Sequence, residues 1–221
     1  MSSIPGYLYR IVKFEHAVEV LKGSLHFSHP SSWEDPYETH IKHEYDHAIF
    51  AQCWSRVSVS DAMWRIYSPN MLGVRLRTTR EALISAMRSY TQNNAGFKRR
   101  LADVVYLSPS KFRKEVSDLE GIMQAEDFSN PSTAADILCV KRRAFNFENE
   151  VRAILYNPDA ERKEGAKVKP IKVTVDGHSL IDSVMFDPRA PIELCEAMTN
   201  YFRDVLQFKG EVGRSKLYTL K

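Results

Sequence analysis

Residues 146–156 read Asn-Phe-Glu-Asn-Glu-Val-Arg-Ala-Ile-Leu-Tyr, and no other stretch constrains the chain as much. Val151, Ile154, Leu155 and Tyr156 are β-formers, and Asn157-Pro158 ends the run, so a strand is expected. Side chains alternate along a strand, which places Glu148, Glu150 and Arg152 on one face. Two desolvated carboxylates on one face repel, and the pKa of at least one rises. A fold tolerates that beside a ligand or a cationic partner, and Arg152 is the nearest cation. A solvated Glu-Glu-Arg edge strand has the same spacing, so spacing alone leaves both readings open.

Around this stretch, short β-type and helical segments are interleaved. Tyr7–Val12, Leu25–Ser28, Ile49–Trp54, Leu72–Arg77, Val168–Val175, Ile181–Phe186 and Val212–Tyr218 read as strands, and Asp103–Leu107 as a weaker one. Phe14, Ala17, Val18 and Leu21 recur at helical spacing, with Gly23 as the natural stop. Ser60-Asp61 caps a short helix ending at Tyr67. Thr79–Tyr90, Ser110–Gln124, Ser132–Arg143 and Pro191–Leu206 also read as helices. Loops are expected at Ser31–Glu38, Asp127–Ser132 and Ala160–Lys167. With 221 residues, 43% hydrophobic and 27% charged, the chain suffices for an ordinary core. No repeat, low-complexity tract or interdomain linker interrupts it, so a single α+β domain over residues 1–221 is expected.

A net charge of +3 does not by itself imply nucleic acid. Cys53, Cys139 and Cys195 form no CxxC pair and read as buried thiols of a reducing compartment. Met1–Gly6 lacks the pattern of a signal peptide, and no apolar run reaches bilayer length; a cytoplasmic protein with no membrane partner is expected. Neither GxGxxG nor a Walker lysine motif is present. His40, His43 and His47 share helical spacing, but the segment is polar throughout, so no metal is expected. Cys53 has no evident histidine base, and nucleophilic catalysis is unsupported. Lys98-Arg99-Arg100 and Lys141-Arg142-Arg143 read as solvated faces. Arg10 stands in an otherwise apolar strand, where an arginine is costly unless it is paired, with Glu150 or Asp35, or holds an anion. Trp33, Trp54, Trp64 and Tyr67 can stack on a flat ring; singly, each reads as core.

Several motifs recur together in order: Leu8-Tyr9-Arg10, Gly23–Pro30, Trp33-Glu34-Asp35-Pro36-Tyr37-Glu38, Cys53-Trp54-Ser55, Met63-Trp64-Arg65-Ile66-Tyr67, Gly73-Val74, Val140-Lys141 and Phe147–Arg152. This succession resembles the bacterial domain-of-unknown-function family 2971, over about residues 7–218. Its members usually carry Leu-Tyr-Arg-Tyr, Asn-Asp-Pro-Phe-Glu, Cys-Phe-Ser, Met-Trp-x-x-Tyr and Glu-x-Glu-Tyr-Arg. Glu34, Tyr37, Trp54 and Val151 depart from that pattern, and only Glu34 changes chemical character.

A looser resemblance is to ADP-ribosyltransferase folds. It implies a split, strongly bent β-sheet core with flanking helices, and NAD as substrate with no metal. Carried over residue by residue, Arg10 holds NAD on the first strand. Ser55 is the middle-strand serine, with Ser28 as its rival, and Tyr67 is a stacking aromatic. Glu150 stabilises positive charge at the nicotinamide ribose, and Glu148 orients the acceptor. The implied activity is transfer of ADP-ribose to an unidentified protein or nucleic acid, as in a toxin, effector or phage-defence protein. The alternatives are an NAD glycohydrolase on the same site, and a non-catalytic nucleotide- or nucleic-acid-binding module using the two basic clusters. A degenerate fold serving protein interaction is a further one.

Overall fold

The computed structural model describes residues 6–35, 37, 46–125, 135–160 and 168–220. In chain order the elements are β1 (Tyr7–Lys13), α1 (Phe14–Leu21), β2 (Ser24–Phe27), β3 (Ile49–Ser55), α2 (Asp61–Tyr67), β4 (Gly73–Thr79), α3 (Arg80–Asn93), β5 (Lys98–Asp103), β6 (Val105–Leu107), α4 (Pro109–Ala125), β7 (Val140–Arg142), β8 (Glu150–Tyr156), β9 (Ile171–Thr174), α5 (Gly177–Leu180), β10 (Ser183–Phe186), α6 (Ile192–Asn200) and β11 (Glu211–Arg214). The expected α+β class holds. The elements fall into two compact units, each assembled from separate stretches of chain.

The first unit comprises residues 1–25, 55–86 and 173–221. Its strands run in the order β11-β10-β4-β1. β10 and β11 are parallel, while β10–β4 and β4–β1 are antiparallel, so the sheet is mixed. Tyr9 stands opposite Leu76's neighbour Arg77, and Arg10 opposite Leu76. Leu8 and Leu76 are each 1% exposed, so alternation buries one face of this pair. α1 ends as its apolar spacing requires: Lys22 and Gly23 donate to the Val18 and Val20 carbonyls at 2.9 and 3.0 Å. Gly23 has φ +97°, a left-handed stop that glycine adopts without penalty. Phe14, Phe186 and Phe202 pack with ring centres 5.6 and 5.9 Å apart. α6 continues into a π-helical turn over Tyr201–Val205, so the expected 191–206 helix is present but changes its winding.

The second unit comprises residues 26–54 and 87–172. Its strands run β3-β8-β5, and β6 pairs with β7 in parallel. From Glu150 to Leu155 every residue of β8 is buried, which is why its apolar residues Val151, Ala153, Ile154 and Leu155 do not alternate with exposed ones. Ile49, Ala51, Ala135, Leu138, Cys139 and Ile154 form one core cluster. Phe112 and Val116 of α4 pack with Ile137 and Val140 in another.

Three local expectations are corrected here. The helix read over Ser132–Arg143 does not extend that far: Val140–Arg142 is a strand, because β6 offers it a ladder and tertiary pairing overrides local propensity. The single weak strand expected at Asp103–Leu107 is two strands, Lys98–Asp103 paired with β8 and Val105–Leu107 paired with β7; Lys98 and Arg99 are exposed on the outer strand, as their solvated reading expects. The strands expected at Val168–Val175 and Val212–Tyr218 shorten to Ile171–Thr174 and Glu211–Arg214. His40, His43, Asp127–Ser132 and residues 161–167 lie outside the described residues.

Candidate functional site

The acidic pair of the second unit is reached by a route that alternation does not describe. Glu148 is the last residue of a 3₁₀ turn, Arg143–Glu148, and Asn149 has φ 42°. Only Glu150 begins the strand. The expectation that Glu148 and Glu150 share a strand face is therefore corrected. A left-handed asparagine stands between them, and asparagine tolerates that conformation better than most residues. The two carboxylates are brought together instead by a lysine. Lys141 Nζ donates to Glu148 Oε2 at 2.6 Å and to Glu150 Oε2 at 3.2 Å. All three side chains are 8% exposed or less.

Arg152 does occupy the same strand face as Glu150, two positions on. Its Nε and Nη2 donate to the two Glu150 oxygens at 3.0 and 3.1 Å, a fork-on-carboxylate contact. Its Nη1 donates to the Leu138 carbonyl, and its guanidinium lies 4.5 Å from the Trp33 ring centre. An arginine with no exposed surface requires this many partners. The Glu150 backbone is held too: its N–H donates to the Tyr106 hydroxyl at 2.9 Å, and its carbonyl accepts from Val104 at 3.0 Å.

Burial alone raises the pKa of Glu150. Arg152 opposes it most, followed by Lys141 and a hydrogen bond from Cys53, and together they hold the carboxyl below its ordinary 4.5. Burial raises the Tyr106 phenol, which keeps it neutral. The Glu150 shift has a consequence for acid stability. The folded-state pKa is the lower one, so its stabilisation is complete above about 4.5 and is lost as pH falls through the depressed value. Urea midpoints measured from pH 7 down to pH 3 should fall, and Glu150→Gln should flatten the fall. An identical slope in the two proteins would show that the carboxylate is not held this way.

Ser28 also belongs to this unit. It bridges to Ala51, donates from Oγ to the Ala51 carbonyl at 3.3 Å, and accepts from Trp33 Nε1 at 3.4 Å. Ser28, Trp33, Arg152 and Glu150 thus form one connected chain of contacts. Asp35 carries Arg142, whose Nη2 reaches both carboxylate oxygens at 3.1 Å. The solvated reading of Lys141-Arg142-Arg143 holds at Arg143 and is corrected at the other two: Lys141 is buried and Arg142 is paired with Asp35. Lys141 was the functional candidate that residue spacing overlooked. The available signal was the apolar Cys139-Val140 immediately before it and the acids seven and nine positions later.

The first unit holds Arg10, Ser55 and Tyr67. Ser55 stands opposite Tyr9, and Arg10 opposite Leu76, so Arg10 and Ser55 are one strand position out of step. Both border one hollow, with Ser58, Ser60, Trp64 and Arg75. Ser55 Oγ accepts from Val57 N–H at 2.9 Å and is buried. Tyr67 ends α2, 44% exposed, and is not among the lining residues. Trp54 and Trp64 are each 1% exposed and are core. Among the described residues no group of three or more His, Cys, Asp and Glu is placed to hold a metal ion. No described helix is long and apolar enough to cross a membrane.

Residues 63–153 match the family described as "Protein of unknown function (DUF2971)", so the family resemblance drawn from the motifs is found over that segment. The matched segment contains Met63–Tyr67 and Phe147–Arg152. No curated protein matches the chain. Two solved structures of Thermus sp. 2.9 DarT are similar to it at 12% identity, covering 96% of this chain and 95% of that chain: a complex with carba-NAD+, at a TM-score of 0.39, and a complex with ADP-ribosylated ssDNA, at 0.43.

Proposed function

We propose that the protein is an NAD-dependent ADP-ribosyltransferase acting on a macromolecular acceptor, protein or nucleic acid. The observation that supports this reading best is the pair Glu148 and Glu150, held on one buried lysine with Glu150 kept ionised. Cleavage of the nicotinamide glycosidic bond develops positive charge at the ribose. A carboxylate already fixed beside that charge acts in the transition state more than in the ground state. Nicotinamide is itself a good leaving group, so the step asks for no metal. Lys141 and Arg152 damp the field of Glu150, and the 3.2 Å Lys141 contact is the weaker of Lys141's two holds. Glu150 gains effect on the ribose as that contact lengthens, while Glu148 retains the lysine. In this proposal Glu148 orients the acceptor, and Arg10 binds NAD phosphate by charge-assisted hydrogen bonds. Ser55 or Ser28 supplies the serine contact, and Tyr67 the stacking ring. A toxin, effector or phage-defence role is in keeping with such chemistry.

Nicotinamide release from NAD by the purified protein, with and without cell lysate, tests the proposal. Release that rises with lysate is expected. Release without a rise points to water as acceptor, and so to a glycohydrolase. No release in either condition, with no rise in melting temperature on adding NAD, would overturn the NAD reading.

A further inference from the structure

Glu150 begins β8 where regular pairing stops. The β5–β8 ladder ends with Asp103 opposite Val151, the residue after Glu150. On the other side stands Asn149, exposed and left-handed at φ 42°, preceded by the 3₁₀ turn that carries Glu148. A backbone in a sparsely populated conformation keeps its geometry only where neighbouring contacts over-determine it. Two contacts do so here, and both come from the chain just after β5. Val104 N–H donates to the Glu150 carbonyl at 3.0 Å, and Glu150 N–H donates to the Tyr106 hydroxyl at 2.9 Å. Tyr106 lies in β6 opposite Lys141 of β7, so the phenol and the ammonium that reach Glu150 come from paired positions of one ladder. Their holds differ. Lys141 and Arg152 spend their donors on the Glu150 carboxylate, whereas Tyr106 takes the backbone. Burial raises the phenol, so the group stays a neutral hydroxyl whose oxygen accepts.

We propose that Tyr106 is a positioning residue for Glu150, fixing the entry of β8 so that the carboxylate can exchange Lys141 for the developing charge of the ribose. The inference rests on the transferase reading, in which the 3.2 Å Lys141 contact lengthens during the reaction. A carboxylate that releases one partner keeps its place only if its backbone does not follow. The Tyr106 hydroxyl supplies that anchor from the backbone side. Without it, Val104 still holds the carbonyl, but the N–H of a residue only 4% exposed loses its acceptor.

Tyr106→Phe removes one oxygen and keeps the ring. Nicotinamide release by the wild type, Tyr106→Phe, Glu150→Gln and the double variant, with NAD varied and melting curves recorded alongside, measures the role. Tyr106→Phe should lower kcat about 10-fold and leave KM for NAD within about twofold, because the hydroxyl acts through Glu150 on the transition state and not on bound NAD. Its melting temperature should fall by about 2–4 °C, for one lost hydrogen bond. On the Glu150→Gln background the same change should lower release by less than about twofold, because the charge it positions is already gone. That missing second loss separates positioning from general support of the fold, which would lower both backgrounds alike. A folded Tyr106→Phe with kcat within about twofold of the wild type, a loss confined to KM, or an undiminished loss on the Glu150→Gln background would overturn the proposal and leave the transferase reading standing. A Tyr106→Phe chain that does not fold assigns the hydroxyl to the fold and overturns the proposal as well. No release from the wild type overturns the transferase reading, and the positioning role with it.

Discussion

Lys141→Met should lower the stability of the protein by about 3–5 kcal/mol, the usual loss when one member of a buried ion pair is removed. Lys141 contacts two carboxylates at 2.6 and 3.2 Å, and all three side chains are nearly inaccessible. Without the lysine, Glu148 and Glu150 face each other with Arg152 as the remaining cation in the cluster, and Arg152 is bonded to Glu150. Glu148 is then a desolvated charge that has lost its 2.6 Å ammonium partner. In a chain of this length the melting temperature should fall by about 10 °C. Urea unfolding of the wild type, Lys141→Met and Lys141→Met/Glu148→Gln measures the effect. The double variant should recover part of the loss, because it removes the buried charge together with the ammonium that faced it. A loss below about 1 kcal/mol in the single variant, typical of solvated pairs, would mean that water reaches the cluster.

Glu150→Gln should cut nicotinamide release by about 10²–10³-fold, the range seen when a preorganised electrostatic group is removed from an active site. The amide keeps the shape of the carboxylate, and its oxygen still accepts from Arg152, but it carries no charge. Lys141 retains Glu148, and Arg152 retains the Leu138 carbonyl but loses its buried carboxylate, so the variant should be folded but less stable than the wild type. The effect belongs in kcat, because the charge of Glu150 matters most when the ribose becomes cationic. Melting curves recorded beside the kinetics separate lost chemistry from lost structure. Release within about threefold of the wild type, in a folded variant, would remove Glu150 from the mechanism.

The region around Glu150 shows why some features were legible and others not. Val151, Ile154 and Leu155 predict a strand because β-branched and apolar residues suit a surface buried on both faces, and β8 is such a strand. Arg152 as partner of Glu150 follows from the two-residue period, which a strand enforces locally. Glu148 did not follow. The turn at Asn149 breaks the period, and a positive φ at asparagine leaves little trace in composition. Lys141 and Arg142 read as solvated because their partners, Glu148, Glu150 and Asp35, lie up to 107 positions away along the chain. Val140–Arg142 read as helix because no local signal announces a parallel neighbour, and β6 supplies one.

By itself the sequence determined the α+β class, the helix stops at Gly23 and the Ser60 cap, and the identity of the acidic pair. Each rests on interactions within a few residues, where spacing and propensity act directly. Only the tertiary structure decided that one buried lysine joins Glu148 to Glu150, that Arg152 lies on Trp33, and that Arg75 Nε is buried with no hydrogen-bond partner among the described residues. Burial sets the energy of a charge, and burial is a property of the packed units rather than of any short stretch of chain.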